Sequence, residues 1–444
     1  MSRRNGRLTR ILGFEGWDVI GDQFERDGVV VVAAGALAMI DATLLLVVRR
    51  RWLPRCGRCH EPCRRVHEQL AVRRWEDLPW GAHPVVLEYA PVRVRCDRCN
   101  ATPVELVAWA DAHQRQSRRL QQHVALQCAS MPTSHVAAMH GLSWATVHRA
   151  EHDALARWSA TRQRMPLRHV GVDEKWLGRR HKLAHKFVTI VSDLETGEPL
   201  WIGKGRAEST LALWLATLSV DEKRAITVFA MDMHRPFYNA VRADPDLAHV
   251  AVVHDPFHVI KRAGEALDEL RRDVFFRADD NMRAIGRGTR WLVLRSWEKT
   301  NVEQRATLRM IFHFNAMLGR AYQIVDELRS VLRAPDGASL AVGLRRILRR
   351  TAPRRIVPLR RLHESLRNHF DEIVALGEHR PAVGRIEALN NNWETLVRRG
   401  RGYRNHDYLL EKLRFMVVNP LRGRGAIKRF LAYGLPIPHV RAAA

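Results

Sequence analysis

The sequence predicts a multidomain α/β protein, and three observations carry that expectation. Two Cys-x-x-Cys pairs stand among short β-like runs near the amino terminus, a helical stretch follows, and residues 166–262 alternate strand-like with helix-like segments. At about 150 residues per domain, a chain of 444 residues has room for roughly three. Pattern shifts divide it into a β-rich region, 1–110, a helical region, 111–165, an α/β segment, 166–270, an arginine-rich all-helical stretch, 271–380, and a mixed carboxy-terminal part, 381–444. Helical periodicity is clearest at Ile311, Phe314, Leu318, Ala321, Tyr322, Val325 and Leu328, at steps of three and four.

Charge narrows the function. Lys and Arg number 73 against 47 Asp and Glu, a net +26, which points to a polyanionic partner, nucleic acid first and an acidic membrane surface second. Hydrophobic content of 46% and charged content of 27% exclude wholesale disorder. Residues 29–48 form an apolar run with one charge, Asp41, followed by Arg49, Arg50 and Arg51, long enough for a membrane span. Its opening valines after Asp27-Gly28 suit a buried strand better, and Asp41 would cost roughly 3 kcal/mol in a bilayer. No stable membrane association and a cytoplasmic location are expected.

In the first module, Cys56-x-x-Cys59 and Cys96-x-x-Cys99 are separated by 36 residues. Each knuckle offers two thiolates at the bite a tetrahedral Zn2+ needs, so a zinc ribbon with structural Zn2+ is expected. His60 and Cys63 are alternative ligands, and Cys128, in a helical run, reads as a small buried hydrophobe. Arg55, Arg58, Arg64, Arg65, Arg93, Arg95 and Arg98 around the knuckles suit phosphates.

The second module, SHVAAMHGLSWATVHR over 134–149, has Ala137, Gly141 and Val147 at the spacing of a helix-turn-helix. A small residue lets the helices cross, glycine takes the turn, and Val147 locks the second helix. Ser143 caps that helix, leaving Trp144, Thr146, His148 and Arg149 for DNA.

The third module sets acids at strand ends. His169–Val172 runs into Asp173 and Glu174; Phe187–Val191 and Pro199–Ile202 follow as two more strands; then come a helix at Thr210–Leu218, the strand Ile226–Met231 ending at Asp232, a helix near Phe237–Val241, and the strand Val250–Val253 before His254-Asp255. A three-strand meander followed by helix, strand, helix, strand and helix is the order of a ribonuclease-H-like fold. Adjacent strands would bring Asp173 and Asp232 together, with Glu387 supplied by a later helix that also carries Asn390, Arg398 and Arg399. Hard carboxylate oxygens suit Mg2+ (two ions, or Mn2+), and two such ions can activate a hydroxyl and stabilise a leaving oxygen in phosphoryl displacement. Glu174 and Asp193 are rival acids that could instead pair with Lys175 or Arg179.

Together these residues resemble the ISL3 family of DDE insertion-sequence transposases. The resemblance rests on CGRC and CDRC, the helix-turn-helix, and the segments GVDEKWLG, FAMDMHRPFYNAV, VHDPFHVIKRAGEALDELRR and RIEALNNNWETLVRRGRGYRNHDYLLEKL, in order over nearly the whole chain. It implies a catalytic triad at Asp173, Asp232 and Glu387, and double-stranded DNA as partner, both element ends and target. It also implies a homo-oligomer assembled on that DNA. Asp255 and His258 match an acid-x-x-His pair seen after the second acid in many DDE families, which implies an accessory role; the residues alone fit a helix cap and a helix-face histidine equally. Ala388 replaces the glycine usual after the triad glutamate. The 154 residues between Asp232 and Glu387 imply that an all-helical insertion interrupts the core. Within it Arg345, Arg346, Arg349, Arg350, Arg354, Arg355, Arg360 and Arg361, with no acid among them, suit a phosphate track. Tyr403, Arg404 and Asn405 resemble the family's tail and would brace the catalytic helix or touch DNA. The competing functions are a DNA-binding regulator derived from a transposase and a metal-dependent nuclease without strand transfer.

Overall fold

The structure, a computed structural model, describes residues 5–31, 42–160, 162, 165–177, 186–278, 280–351 and 356–419. Asp41, Arg179, Arg354 and Arg355 lie outside the described residues. The chain divides into two compact units, residues 1–163 with 399–402 and 419–444, and residues 164–398 with 403–418.

The first unit opens with α1 (Gly6–Leu12) and then strands β1 (Trp17–Arg26), β2 (Val29–Val30), β3 (Thr43–Arg50), β4 (Arg65–Gln69), β5 (Arg73–Trp80), β6 (His83–Tyr89) and β7 (Val92–Arg95). Five of them make a sheet ordered β2-β1-β3-β6-β5, while β4 and β7 pair separately. Strand β6 shows the period-2 signature of a sheet with one buried face, with Val85, Leu87 and Tyr89 inside and Val86 and Glu88 half-covered. These side chains join Trp17, Leu44, Leu46, Val48, Trp75 and Trp109 in one core. The long apolar run is therefore split: Thr43–Val48 is a core strand, whereas Val29 and Val30, expected to begin a buried strand, form an exposed two-residue strand. No helix among the described residues is long and apolar enough to cross a membrane. Helices α2 (Arg118–Cys128), α3 (Thr133–His140) and α4 (Trp144–Ala160) follow in this unit.

The second unit is built on a sheet of β8 (His169–Trp176), β9 (Phe187–Asp193), β10 (Pro199–Lys204), β11 (Val228–Met231) and β12 (Ala251–His254). Their order is β10-β9-β8-β11-β12; β8, β9 and β10 are antiparallel, and β11 lies parallel to both β8 and β12. Helices α5 (Glu208–Leu215), α6 (Val220–Ala225) and α7 (Arg235–Ala243) fall between strands. The helix α5 starts at Glu208, ahead of the expected Thr210, and both α5 and α7 pack on the face that carries Val170, Val172, Phe229 and Met231.

Then follow α8 (Pro256–Phe276), α9 (Asp280–Gly286), α10 (Arg290–Leu294), α11 (Val302–Phe314), α12 (Ala316–Val331), α13 (Gly337–Thr351), α14 (Val357–Asn368) and α15 (Phe370–His379), largely around one apolar core. The apolar period from Ile311 to Leu328 spans two helices rather than one. Asn315 leaves helical geometry (φ −137°, ψ 91°) and its side chain accepts the Leu318 N–H at 2.9 Å. Phe314, placed on the core face by period alone, is 61% exposed at this break. The last helices among the described residues, α16 (Gly384–Gly400) and α17 (His406–Val418), cover the β9 side of the sheet through Leu389, Trp393, Leu396, Leu409 and Leu413.

Candidate active site and metal centre

The knuckles form from two matching turns. In CGRCH and CDRCN the residue after the second cysteine, His60 or Asn100, takes a left-handed conformation, with φ 65° and 44°. That reverses the chain and turns both sulfurs inward. Gly57 is required by close approach, since a Cβ there would stand 2.4 Å from the Val104 carbonyl oxygen. The sulfurs of Cys56, Cys59, Cys96 and Cys99 all lie within 4.8 Å of one another. Cys56 and Cys99 are 3.9 Å apart, and Cys59 and Cys96 3.5 Å. A zinc ion with Zn–S near 2.3 Å sets neighbouring sulfurs about 3.8 Å apart, so the cluster fits that ion. Burial opposes ionisation of Cys56, but the backbone N–H groups of Cys59 and Arg58 outweigh it and hold the thiol at about 7. Of the two alternative ligands, Cys63 is buried with its thiol toward the Glu61 carbonyl, and His60 is exposed; neither joins the four. Arg98 pairs with Glu61 and Arg93 with Glu68, so part of the surrounding charge is already neutralised.

In the helical part of the same unit, Gly141 takes φ 63° between α3 and α4, Ala137 and Val147 are buried, and Ser143 Oγ accepts the Thr146 N–H at 3.1 Å. The turn needs glycine because a left-handed residue ends α3. Trp144 is exposed and stacks on His148, centroids 4.6 Å apart. Arg149 is exposed, while the Thr146 hydroxyl is partly used by Ser143, 2.9 Å away. Cys128 is fully buried in this helical core.

The acids assemble through register. Met231 pairs with Val172 across the parallel β8–β11 ladder, so the next residues, Asp232 and Asp173, follow side by side. Asp232 lies just past the end of β11 and Asp173 within β8, which continues to Trp176 rather than stopping at the acid as expected. Strand alternation puts Val170 and Val172 with Phe229 and Met231 on one face, leaving Gly171, Asp173, Ala230 and Asp232 for the other. There Ile386 at the start of α16 packs with Ala230 and Leu194. The small residues matter. A Cβ on Gly171 would stand 2.7 Å from Leu194 and 3.1 Å from Ile386. With the helix seated so closely, Asn390 donates to Asp173 Oδ2 at 2.7 Å. Glu387, one turn earlier, therefore shares that side of the helix, and it is exposed.

Each aspartate is already balanced by the chain. Lys175 Nζ lies 3.6 Å from Asp173. Asp232 accepts the Met233 N–H at 2.6 Å and faces His258 Nδ1 at 3.2 Å. Burial opposes ionisation of Asp232, yet His258 and the Met233 N–H outweigh it and hold the carboxyl at about 2. Burial likewise pushes His258 down, but Asp232 outweighs it and raises the imidazole pKa. Carboxylate oxygens such as these suit a hard divalent cation, but Asp173, Asp232 and Glu387 are not among the groups of described residues whose ligand atoms converge within 4.8 Å.

A family profile described as transposase, of the ISL3 type, matches residues 170–413, more than half of the chain. The chain belongs to the ISL3 transposase family. A second profile, described as the helix-turn-helix domain of transposase family ISL3, matches residues 105–155, which contain α2, α3 and most of α4. The chain is 28% identical over 362 residues to the transposase for insertion sequence element IS1001 of Bordetella parapertussis, covering 81% of this chain and 87% of that protein. It is 29% identical over 442 residues to the transposase for insertion sequence element IS1557 of Mycobacterium tuberculosis, covering 92% and 94%.

Within this ISL3 transposase the remaining site residues separate by position. Asp255 caps α8 by accepting the Phe257 N–H at 2.9 Å, while His258, one turn on, reaches Asp232. Glu174 points away from Asp173 and pairs with Arg206 at 3.0 Å, and Lys175 serves Asp173 rather than Glu174. Asp193 closes the β9–β10 turn, accepting the Glu195 N–H and the Thr196 hydroxyl, which explains that acid without a cation. Arg398 pairs with Glu394 one turn back, and Arg399 falls in the stretch 399–402 that groups with the first unit. Asn405 caps α17. Arg346 and Arg350 pair with Glu327, and Arg361 with Glu269, so acids on other helices take up these three arginines of the stretch. The sequence placed Asn390 on the right helix but gave it no role, because its partner is 217 residues away.

Proposed function

We propose that this transposase binds the terminal inverted repeats of an insertion sequence and catalyses magnesium-dependent DNA cleavage and strand transfer through Asp173, Asp232 and Glu387. One observation carries the reading: the β8–β11 register sets Asp232 beside Asp173, and α16 reaches the same place through Asn390 while presenting Glu387 a turn earlier. The strand order 3-2-1-4-5 supports a ribonuclease-H-like core over 166–270 and 381–444, with 271–380 as its helical insertion. The sulfur spacing supports a zinc ribbon within 1–110, ahead of the helix-turn-helix of 111–165.

In this mechanism Asp173, Asp232 and Glu387 would hold Mg2+, as two ions, or Mn2+, which would supply Lewis-acid polarisation of the scissile phosphate and a lowered pKa for the attacking hydroxyl. The chain's own groups set the stage. Asn390 and Lys175 orient Asp173, and His258 fixes the free edge of Asp232, so neither carboxylate must reorganise when the phosphate arrives. Trp144, Thr146, His148 and Arg149 face the end sequence, and Arg398 and Arg399 meet phosphates. Assembly as a homo-oligomer on paired DNA ends in the cytoplasm completes the proposal.

The test incubates purified protein with magnesium, a labelled duplex carrying the element's end, and target DNA, comparing wild type with Asp232→Asn. Cleavage at the end boundary and joining to target, both lost in the variant, is the expected result. Cleavage without joining makes the protein a nuclease. Tight end binding with no cleavage by either protein makes it a regulator, and sinks the catalytic reading.

A further inference from the structure

Outside the acidic site, three ligating side chains converge that the reaction above does not use. His254, at the end of β12, is 2% exposed, and its Nε2 stands 3.0 Å from His369 Nδ1. Glu372, one turn after His369 on α15, brings a carboxylate oxygen to the same point, and all three ligand atoms lie within 4.8 Å of one another. His369 is the cap residue before α15 and Glu372 lies in that helix's first turn, three residues on.

We propose that His254, His369 and Glu372 form a second metal site that takes a zinc-class divalent cation and fastens the helical insertion to the strand beside Asp232. Three features fit that chemistry. Two imidazole nitrogens on a tetrahedral ion with Zn–N near 2.0–2.1 Å stand about 3.3–3.4 Å apart, a few tenths of an ångström beyond the pair observed. The other ring nitrogen of His254, Nδ1, faces the Met231 carbonyl oxygen at 3.4 Å. Donation there fixes the tautomer and aims the Nε2 lone pair at His369, the outer contact that metal-binding histidines commonly make. Nitrogen ligands with one carboxylate select zinc or cobalt over magnesium, which prefers an all-oxygen shell.

The surroundings are mixed but tolerable for a dication. Arg262 and Arg235 bring positive charge toward the pair, and Glu372 and Asp232 oppose it. The ion's effect on the neighbouring site runs through Met231, whose carbonyl meets His254 and whose next residue is Asp232. These are positioning residues: they touch no reacting atom, and they tie α15 to the strand layer that carries the acid.

The test counts bound metal and does not depend on DNA cleavage. Full-length wild type, His369→Gln, Glu372→Gln and Asp232→Asn are dialysed against zinc with excess magnesium, and zinc per chain is measured by mass spectrometry. Wild type and Asp232→Asn should each hold one zinc more than His369→Gln and Glu372→Gln, with the cysteine-bound ion common to all. Affinity at the second site should fall by at least the about 10–100-fold that loss of an outer contact costs. Circular dichroism in chelator, matched between Glu372→Gln and wild type, ensures that the comparison is between folded chains. Equal zinc in all four proteins leaves only a hydrogen-bonded histidine pair and overturns the site. So does loss of the extra zinc in Asp232→Asn alone, which places that ion at the acids.

Discussion

The cysteine cluster and the acidic cluster both suit cations, yet they are built in opposite ways. In the first, two four-residue turns aim their sulfurs at one point, and the sulfurs meet chiefly one another, 3.5–3.9 Å apart. In the second, each aspartate is already engaged by the chain, Asp173 by Asn390 and Lys175, Asp232 by His258 and the Met233 N–H. A structural ion site can be closed by local backbone geometry, because its only task is to hold one ion. On the proposed reading, a reacting site must keep room for substrate, which fits carboxylates steadied by neighbours and an exposed Glu387. The difference teaches where each site fails when altered: the first in folding, the second in chemistry.

The comparison would break most visibly at the knuckles. Cys56→Ser with Cys96→Ser should release the zinc and unfold the β4–β7 pair, since structural zinc in small modules contributes about 10–16 kcal/mol of binding free energy. Limited proteolysis across residues 54–105 reports it, and a protease-resistant, zinc-free double variant would show that the strands hold without the ion. Glu387→Gln should do the reverse. Because Glu387 is exposed on α16, its thermal midpoint should stay near wild type while end cleavage falls on the order of 10³-fold. Cleavage retained in that variant would remove Glu387 from the site.

Smaller effects sharpen the contrast. His258→Gln, which removes the imidazole facing Asp232, should cost about 10–100-fold in activity and raise the magnesium concentration needed for half-maximal rate. A change confined to stability would make His258 structural. Gly171→Ala forces a Cβ to within 2.7–3.1 Å of Leu194, Ser192 and Ile386. It should destabilise the second unit by about 1–3 kcal/mol and, by displacing α16, lower activity with all three acids intact. Chemical denaturation and the cleavage assay read the two effects together.

The smallest expected effect lies in the helix-turn-helix. Burial lowers the pKa of His123 and of His140, and His123 lowers that of His140 further. The folded form then binds fewer protons than the unfolded chain, whose histidines titrate near pH 6.5. This contribution is fully present above about pH 6.5 and is lost as pH falls through the depressed folded values. Urea midpoints at pH 7.5 and 5.5 should differ in that direction, and His140→Gln should flatten the dependence.

What was legible in the residues follows from how far each feature reaches along the chain. The knuckles, the Gly141 turn, the Ser143 cap and the run of β11 into Asp232 are decided within a few residues by steric limits, hydrogen-bond reach and alternation. The sequence by itself therefore determined them. It also placed Asp232 directly after β11 and Glu387 in the first turn of α16, whereas the strand expected to end at Asp173 runs on to Trp176. The periodicity from Ile311 to Leu328 could not see the break at Asn315, because a cap of one helix directly before the next leaves the apolar spacing almost unchanged. Only the tertiary structure decided that Asn390 serves Asp173, that His258 rather than Asp255 reaches Asp232, and that Glu327 and Glu269 take up arginines of the insertion. Those pairings join segments far apart in the chain. Their physical cause is packing: Gly171 and Ala230 leave space, Ile386 fills it, and the polar side chains on that helix turn then meet whatever the neighbouring strands present.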